Sequence, residues 1–447
     1  MPRTVVTKTK RISHEKIVEF PFEEKMIPKP EGSAFFMAKY REEAWKQYKR
    51  LDMPSTNEEP WRRTDISKLQ GGELSYPLNG SINQLPDVPR DLLAPLVGDK
   101  QAGQIVLKPG GTEIALDKAL TDQGVIFTDL KTAERKHPEI LEKVIGKVVG
   151  SEEGKFAALS AALSDRGILV FVPKGVRVEQ PFHSILWGPG VGHAYFSHII
   201  VWLEENAELT YVHESASDTE PEGQTLHAGL VEINVGPGAN LRFVELQSWG
   251  EHVWNFNHKR AKIARAGQID WVFVAVGSKL TKDFSDLDLT GEGAVGRMSG
   301  FYFTDGTQHL DHDTQQNHFA PNTTSDLLFK GALKEKSRSV WQGMIYVAPG
   351  AQKTDGYQAN RNLVLSRDAR ADSIPGLEIM ADDVRCTHGA TVGKIDPDEL
   401  FYILSRGIQL PDAERLVVQG FFEPIMERIP FDGVKERLHQ AIDRKMS

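Results

Sequence analysis

Cysteine is almost absent from this sequence, since Cys386 is the only one among 447 residues. A single thiol excludes a disulfide within the chain, and it excludes a zinc or iron–sulfur site built from four thiolates of this chain alone. Any soft-metal cluster held here would therefore need ligands from a partner. The scarcity of cysteine is typical of a reducing compartment, so we expect a cytoplasmic protein.

Long apolar runs, long basic blocks and nucleotide-binding motifs are missing as well. No run of about 18 uncharged apolar residues occurs, which predicts that no helix spans a membrane. The formal net charge of −9 argues against nucleic acid as a partner. A GxGxxG pattern occurs at residues 291–296, but a β-rich run follows it where dinucleotide binding requires a helix. We therefore expect proteins or small molecules as partners.

The middle of the sequence differs from both ends in its pattern of apolar runs and turns. Residues 166–393 consist of short β-rich runs separated by similar small turns, without hairpin signals or helical crossovers. This pattern predicts a mainly β protein with a β-solenoid core, and a β-sandwich is the competing fold.

Helical patterns flank this core on both sides. Residues 1–165 predict a mainly helical region, with an amphipathic helix near 33–50, irregular structure over 56–128 and further helices near 130–163. Residues 394–447 predict a small C-terminal helical domain.

Histidines and aspartates cluster in the segment HLDHDTQQNH, which contains His309, Asp311, His312, Asp313 and His318. Such side chains can bind zinc or iron, but their spacing here matches no established metal signature. We interpret them as polar residues of strands and a turn, with His309 or His312 in structural hydrogen bonds.

The segment ADDVRCTHGATVGKID places His388 two residues after Cys386. If these residues form a strand, both side chains project from the same face and could bind one metal together. The alternative is an ordinary buried cysteine. Spacing alone does not choose between the two.

Four segments together carry a family resemblance. The most specific is ADDVRCTHGATVGKIDPDELFYILSRGI, which begins at Ala381. The others are EEPWRRTDISKL (58–69), DHDTQQNHFAPNTTSDLLFKGAL (311–333) and APGAQKTDGYQANRNLVLS (348–366). They resemble the SufB/SufD family of the SUF iron–sulfur cluster assembly system, and one cysteine fits the SufD branch better than the SufB branch. The first of these three segments departs from the family pattern at Pro60 and Arg63, which puts the contacts of Trp61 in question.

The resemblance implies a right-handed parallel β-helix flanked by N-terminal and C-terminal helical regions. It also implies a non-catalytic scaffold subunit that pairs with SufB along the β-helix cores. The SufC ATPase would bind the C-terminal helical domain, as in a SufBC2D complex. A nascent iron–sulfur cluster would be held at the SufB–SufD interface and passed to acceptor proteins.

The same resemblance implies roles for particular residues. His388 matches a histidine that faces SufB and, with a SufB cysteine, binds the cluster metal. Cys386 matches a thiol near that interface. The candidates for ATPase docking lie on a helix over 397–406 and are Phe401, Tyr402, Ser405 and Arg406; the alternative is that such residues pack the helical core.

The isolated chain could form a homodimer, and the family has been linked with flavin, although no flavin motif occurs. The alternative function is an intracellular β-helix enzyme acting on a carbohydrate or other small substrate, with the segment from His309 to His318 as its candidate site. We expect no catalytic residue.

Overall fold

The computed structural model describes residues 18–77, 87–94, 96, 102–109 and 111–446. The helices are α1 (Phe36–Arg50), α2 (Arg90–Leu93), α3 (Lys118–Thr121), α4 (Leu130–Lys136), α5 (Pro138–Val144), α6 (Lys155–Leu163), α7 (Pro397–Leu404), α8 (Leu410–Met426) and α9 (Asp432–Met446). The strands are β1 (Gly103–Lys108), β2 (Gly111–Leu116), β3 (Ile126–Asp129), β4 (Arg166–Val172), β5 (Phe182–Trp187), β6 (Ala194–Leu203), β7 (Glu208–Ala216), β8 (Thr225–Val235), β9 (Asn240–Ser248), β10 (Val253–Ile263), β11 (Gln268–Ala275), β12 (Leu280–Leu289), β13 (Val295–Thr304), β14 (His309–His318), β15 (Thr324–Leu333), β16 (Arg338–Val347), β17 (Asp355–Val364), β18 (Arg370–Ile379) and β19 (Arg385–Gly393).

The strands form two sheets, which the chain visits alternately from β4 onward. Sheet A has the order β2-β1-β5-β7-β9-β11-β13-β15-β17-β19, and sheet B has the order β3-β4-β6-β8-β10-β12-β14-β16-β18. Only β1–β2 and β3–β4 pair antiparallel among the strands described; the other pairs are parallel. The chain therefore winds as a parallel β-solenoid, which confirms the predicted fold and excludes a sandwich built from antiparallel strands.

A left-handed backbone residue recurs at one corner of the solenoid turns. Asn206, Gly238, Ala266, Gly293 and Asn322 have φ values between 55° and 70°. Each of their N–H groups donates to a carbonyl of the next turn over 2.9–3.3 Å, so the corners stack as a hydrogen-bonded ladder. The similar small turns in the sequence are therefore the repeated corners of the solenoid, and the GxGxxG pattern belongs to one of them.

Helices from the two ends of the chain cover opposite sheets. Phe156 of α6 stacks on Phe256 of sheet B at a ring-centroid distance of 3.9 Å. Phe422 of α8 stacks on Phe301 of sheet A at 4.6 Å. Each sheet thus buries part of its outer face under helices, and no helix described here has the length and apolar character needed to cross a membrane.

The helices predicted near 33–50 and 130–163 are confirmed by α1 and by α4 to α6. The expectation of irregular structure over 56–128 was wrong for β1, β2 and β3, which extend the two sheets. These strands are short, and β2 is largely exposed, so they carry little of the apolar alternation that marks a half-buried strand.

Candidate functional site

Cys386 and His388 lie on β19, the last strand of sheet A. Their register partners on β17 are Gly356 and Gln358, so the two side chains point to the same side of the sheet, as a strand requires. Within the described residues β19 pairs with β17 alone, and β18 at the end of sheet B pairs with β16 alone. The pair is therefore displayed where both sheets end in an unpaired edge.

Cys386 is the less accessible member of the pair. Its Sγ lies 3.3 Å from the position that a Cβ on Gly356 would occupy, so the glycine leaves room for the sulfur. The side chain packs against the apolar cluster of Ile345, Val347 and Ala351. Burial raises the pKa of the Cys386 thiol, which disfavours the reactive thiolate in the chain alone.

The side chain of His388 is exposed and forms no hydrogen bond or ion pair with any residue that the structure describes. Its register partner Gln358 donates from Nε2 to the carbonyl of Gly376 over 2.9 Å instead of bonding to His388. Both ring nitrogens of His388 are therefore accessible to a metal brought by another molecule. A neutral imidazole nitrogen is a common metal ligand.

The same end of the solenoid exposes a group of large apolar side chains. We call the surface that they form, together with the edges of β18 and β19, the open end. Its members are Tyr357, Leu377, Ile379, Met380 and Val392, with exposures of 37–56%. Unpaired strand edges together with exposed apolar side chains are typical of a surface that another chain covers. The sequence analysis does not predict these residues as a site, although the run IPGLEIM before the Cys386 segment is an apolar signal.

Three residues separate β19 from helix α7. Of the four predicted docking residues, Phe401 and Tyr402 lie on α7, and Ser405 and Arg406 follow it directly. None of its side chains is buried, and Phe401 and Tyr402 are 71% and 60% exposed. Ser405 donates from Oγ to the Tyr402 carbonyl over 2.7 Å, and Arg406 donates from Nη2 to the Tyr402 hydroxyl over 3.0 Å. The four residues form one exposed surface, and Phe401 does not pack into a helical core.

Helices α8 and α9 behave differently, because they pack on sheet A. Val418, Phe422 and Val434 share an apolar cluster with sheet residues that include Phe301 and Phe303. Polar contacts join the same surfaces: Lys330 of β15 donates to the carbonyl of Phe421 over 2.7 Å. The helix proposed for docking therefore projects from two helices that are fixed to the solenoid.

The histidine-rich segment forms β14, and its polar side chains take part in structural contacts. His309 Nε2 is 2.8 Å from the Thr64 hydroxyl, which confirms a structural hydrogen bond for this histidine. Thr64 also donates to Asp311, and the Lys282 ammonium bridges Asp311 and Asp313 over 3.0 and 2.9 Å. No group of three or more potential ligands suited to a metal ion occurs in the part of the chain that the structure describes.

The geometry defines a class of protein: a parallel β-solenoid that displays a cysteine–histidine pair at an open end, beside an exposed helix. Comparison with known families then identifies it. The profile described as "SUF system FeS cluster assembly, SufBD core domain" matches residues 187–421, and the one described as "SufBD protein N-terminal region" matches residues 20–183. The chain belongs to the SufB/SufD family of the SUF iron–sulfur cluster assembly system.

Individual relatives agree with this placement. The iron–sulfur cluster assembly protein SufD of Bacillus subtilis is 30% identical over 421 residues, which cover 92% of this chain and 96% of the relative. An iron–sulfur cluster assembly SufBD family protein of Staphylococcus saprophyticus is 28% identical over 90% of this chain and 87% of its own. The chain therefore has a role in iron–sulfur cluster assembly.

Proposed function

We propose that this chain is a non-catalytic scaffold subunit that pairs with SufB through its open end and holds a nascent iron–sulfur cluster there. The observation that carries the proposal is the coincidence of two unpaired strand edges, exposed apolar residues and a free histidine at one end of the solenoid. In this scheme the cluster is cargo, which is assembled at the interface and released to acceptor proteins.

The ligand supply explains why two subunits are needed. An iron–sulfur cluster takes about four protein ligands, and this chain offers His388 and Cys386 at the interface. The remaining ligands would come from the partner, so the cluster would be bound only while the two chains are correctly placed. His388 is the primary metal ligand in this proposal, and Cys386 is a second ligand that opens as the interface forms.

The C-terminal helical domain, residues 394–447, would bind the SufC ATPase. Phe401 and Tyr402 offer an exposed aromatic surface, with Ser405 and Arg406 beside them. Only residues 394–396 separate β19 from α7, so a displacement of the helix by the ATPase would act directly on the strand that carries His388. ATP-driven movement would thereby switch the site between holding and releasing the cluster.

The cluster site is tested by anaerobic reconstitution of the complex with SufB and SufC. His388→Ala should lower the cluster yield at least tenfold while the three chains still co-purify, and Cys386→Ala should lower it less. His439→Ala on α9 is the matched control and should leave the yield unchanged. A normal yield from an intact complex that carries His388→Ala would refute the ligand assignment.

The docking surface is tested by point variants, because deletion of the C-terminal domain would also uncover the apolar face of sheet A. Phe401→Ala and Tyr402→Ala should each weaken SufC binding by about tenfold, measured by titration calorimetry. Ile114 on β2 is exposed to 42% and lies at the other end of sheet A, so Ile114→Ala is the control. Equal SufC affinity for all three variants would place the docking surface elsewhere.

A further inference from the structure

The two strand edges at the open end differ in the hydrogen-bonding groups that they offer. Sheet A ends at β19, which pairs with β17, and sheet B ends at β18, which pairs with β16; neither has a second strand partner among the described residues. Along a strand in a parallel sheet, the N–H and C=O of one residue point to one neighbouring strand, and those of the next residue point to the other. Every second residue of β18 and β19 therefore presents its backbone groups to the free edge.

The hydrogen bonds at the start of β19 show which of its residues face the edge. Arg385 donates its N–H to the carbonyl of Thr354, just before β17, over 2.9 Å, so the residues of odd number in β19 bond to β17. The residues of even number face away from β17; they are Cys386, His388, Ala390 and Val392. None of these four is a proline, so the edge of β19 offers an unbroken row of donors and acceptors.

Proline interrupts the corresponding row on β18. Arg370 donates to the carbonyl of Ser337 over 3.1 Å where the strand begins, and Met380 donates to the carbonyl of Val347 over 2.9 Å just after it ends. The residues of even number in β18 therefore bond to β16, and Pro375 faces the free edge. Because proline has no N–H, it costs β18 no bond to β16 but removes a donor from the middle of the edge.

The two edges are therefore protected to different degrees. Natural proteins commonly protect a free strand edge with proline or lysine, because an unprotected edge readily pairs with another strand. Strand β18 has such a proline. Strand β19 is nine residues long, RCTHGATVG, and contains neither proline nor lysine, while three of its residues are β-branched. An edge of this kind fits a surface that another strand covers when the protein functions.

We propose that the SufB partner adds one β-strand to the edge of β19 and so extends sheet A, while Pro375 keeps β18 out of a continuous ladder. This inference rests on the proposed function and specifies how the open end is paired. Main-chain hydrogen bonds supply the affinity when an extended segment adds to a sheet edge. The added strand lies about 4.8 Å from β19 and bonds to the backbone of His388 itself. The ladder thereby fixes the partner's ligands relative to the His388 imidazole, and its opening releases the cluster.

Hydrogen–deuterium exchange resolved to single residues tests the proposal on the unmodified chain, with and without saturating SufB. In the chain alone, the amides of His388 and Ala390 should be at least about tenfold less protected than that of Gly389, which bonds to β17. Saturating SufB should slow exchange at His388 and Ala390 at least about tenfold. The amides of Ser373 and Leu377, which face the edge of β18, should slow by no more than about threefold.

A proline placed at the edge of β19 provides a second test. Ala390→Pro removes one edge donor without removing a bond to β17, so it should weaken SufB binding at least about tenfold, measured by titration calorimetry. Ala390→Gly keeps the N–H and is the matched control, which should bind SufB within about threefold of the unmodified chain. Circular dichroism should show the same β-sheet content for both variants.

The outcomes distinguish the strand pairing from the function on which it rests. A complex in which His388 and Ala390 exchange as fast as in the chain alone would overturn the pairing and leave the proposed function intact. Retained SufB affinity of a folded Ala390→Pro variant would overturn the pairing as well. Failure of SufB to bind the unmodified chain would overturn the proposed function and this inference with it.

Two further outcomes concern the edge and its occupant. Slowing of Ser373 and Leu377 equal to that of His388 would overturn the restriction to one edge, since both sheets would then be extended. Strong protection of His388 and Ala390 without SufB, together with a dimer in sedimentation, would overturn the assignment to SufB and give the edge to a second copy of this chain.

Discussion

His388 and Cys386 are two residues apart on one strand, yet the fold depends on them to different degrees. The His388 side chain makes no hydrogen bond or ion pair with the described residues, so His388→Ala should change the free energy of unfolding by less than about 0.5 kcal/mol. Cys386 packs beside Ile345, so Cys386→Ala should cost about 0.5–1 kcal/mol. Urea unfolding followed by circular dichroism measures both, with the exposed Thr387→Ala as control. A cost above about 1 kcal/mol for His388→Ala would show a structural role and remove the basis for treating it as a free ligand.

Asp313 offers a second test at the scale of single residues. Burial raises its pKa to about 7; the Lys282 ammonium opposes this shift and the neighbouring Asp311 assists it. The folded state therefore keeps a proton on Asp313 that the unfolded state loses near pH 4. This group consequently reduces stability as pH rises from about 4 to about 7, and the reduction persists at higher pH.

Asp313→Asn should remove that pH dependence. The variant should gain about 1–3 kcal/mol relative to the unmodified chain as pH rises from about 4.5 to about 7.5, because the amide does not ionise. Urea unfolding at several pH values measures the difference, and Asp368→Asn at an exposed position is the control. A constant difference between variant and parent across this range would contradict the shifted pKa.

At this scale the sequence predicts only local relations. The spacing of Cys386 and His388 predicts a shared face because strand geometry alternates with every residue. The partner of His309 could not be predicted, since Thr64 lies 245 residues away and only the winding of the solenoid brings it near. The pKa of Asp313 depends in the same way on burial that the sequence does not reveal.

Among the elements, the segment over 58–69 ties the N-terminal region to sheet B. Its Trp61 ring lies 6.0 Å from Phe156 of α6 and from Phe256, and 5.9 Å from Phe284. Pro60 falls within the short 3-10 helix Glu59–Trp61 that delivers the indole. The unusual neighbours of Trp61 therefore do not prevent its burial.

Trp61→Ala should destabilise the chain by about 3–5 kcal/mol, because it removes a large buried ring from an aromatic cluster. Arg62→Ala, next to it and exposed, should cost no more than about 0.5 kcal/mol. Chemical denaturation at constant pH compares the two. Similar stabilities for both variants would mean that the segment is not firmly docked on the solenoid.

The predictability of the elements follows the strength of their apolar pattern. Helix α1 buries Ala44 and Tyr48 at four-residue spacing, and this period is visible in the sequence. Strand β14 is rich in polar residues, and its strand character comes from neighbours on both sides in sheet B. The open end cannot be predicted from the sequence, because the exposure of Leu377 and Met380 depends on where the solenoid stops, and no local pattern indicates that.

For the whole molecule, the two ends of the solenoid are unlike. At the first end the edge strands β2 and β3 are joined to the solenoid by antiparallel pairing, whereas at the last end the edge strands β18 and β19 are paired in parallel. In a solenoid each turn is stabilised mainly by its neighbours, so a terminal turn with one neighbour opens at lower free energy than an inner turn. Stability should therefore fall toward the end that carries His388.

Amide hydrogen exchange measures this gradient directly. In the isolated chain, the slowest amides of β19 should exchange at least about tenfold faster than those of β11, since β11 is paired on both sides.

Addition of SufB should slow exchange in β18 and β19 if the open end is the paired surface, whereas β2 at the opposite edge of sheet A should not change. Protection of β19 equal to that of β11 in the chain alone would show that the last turn needs no partner, and unchanged exchange of β18 and β19 in the complex would place the interface elsewhere. Because the same strand displays His388, the gain in protection and the yield of assembled cluster should reach saturation at the same SufB concentration.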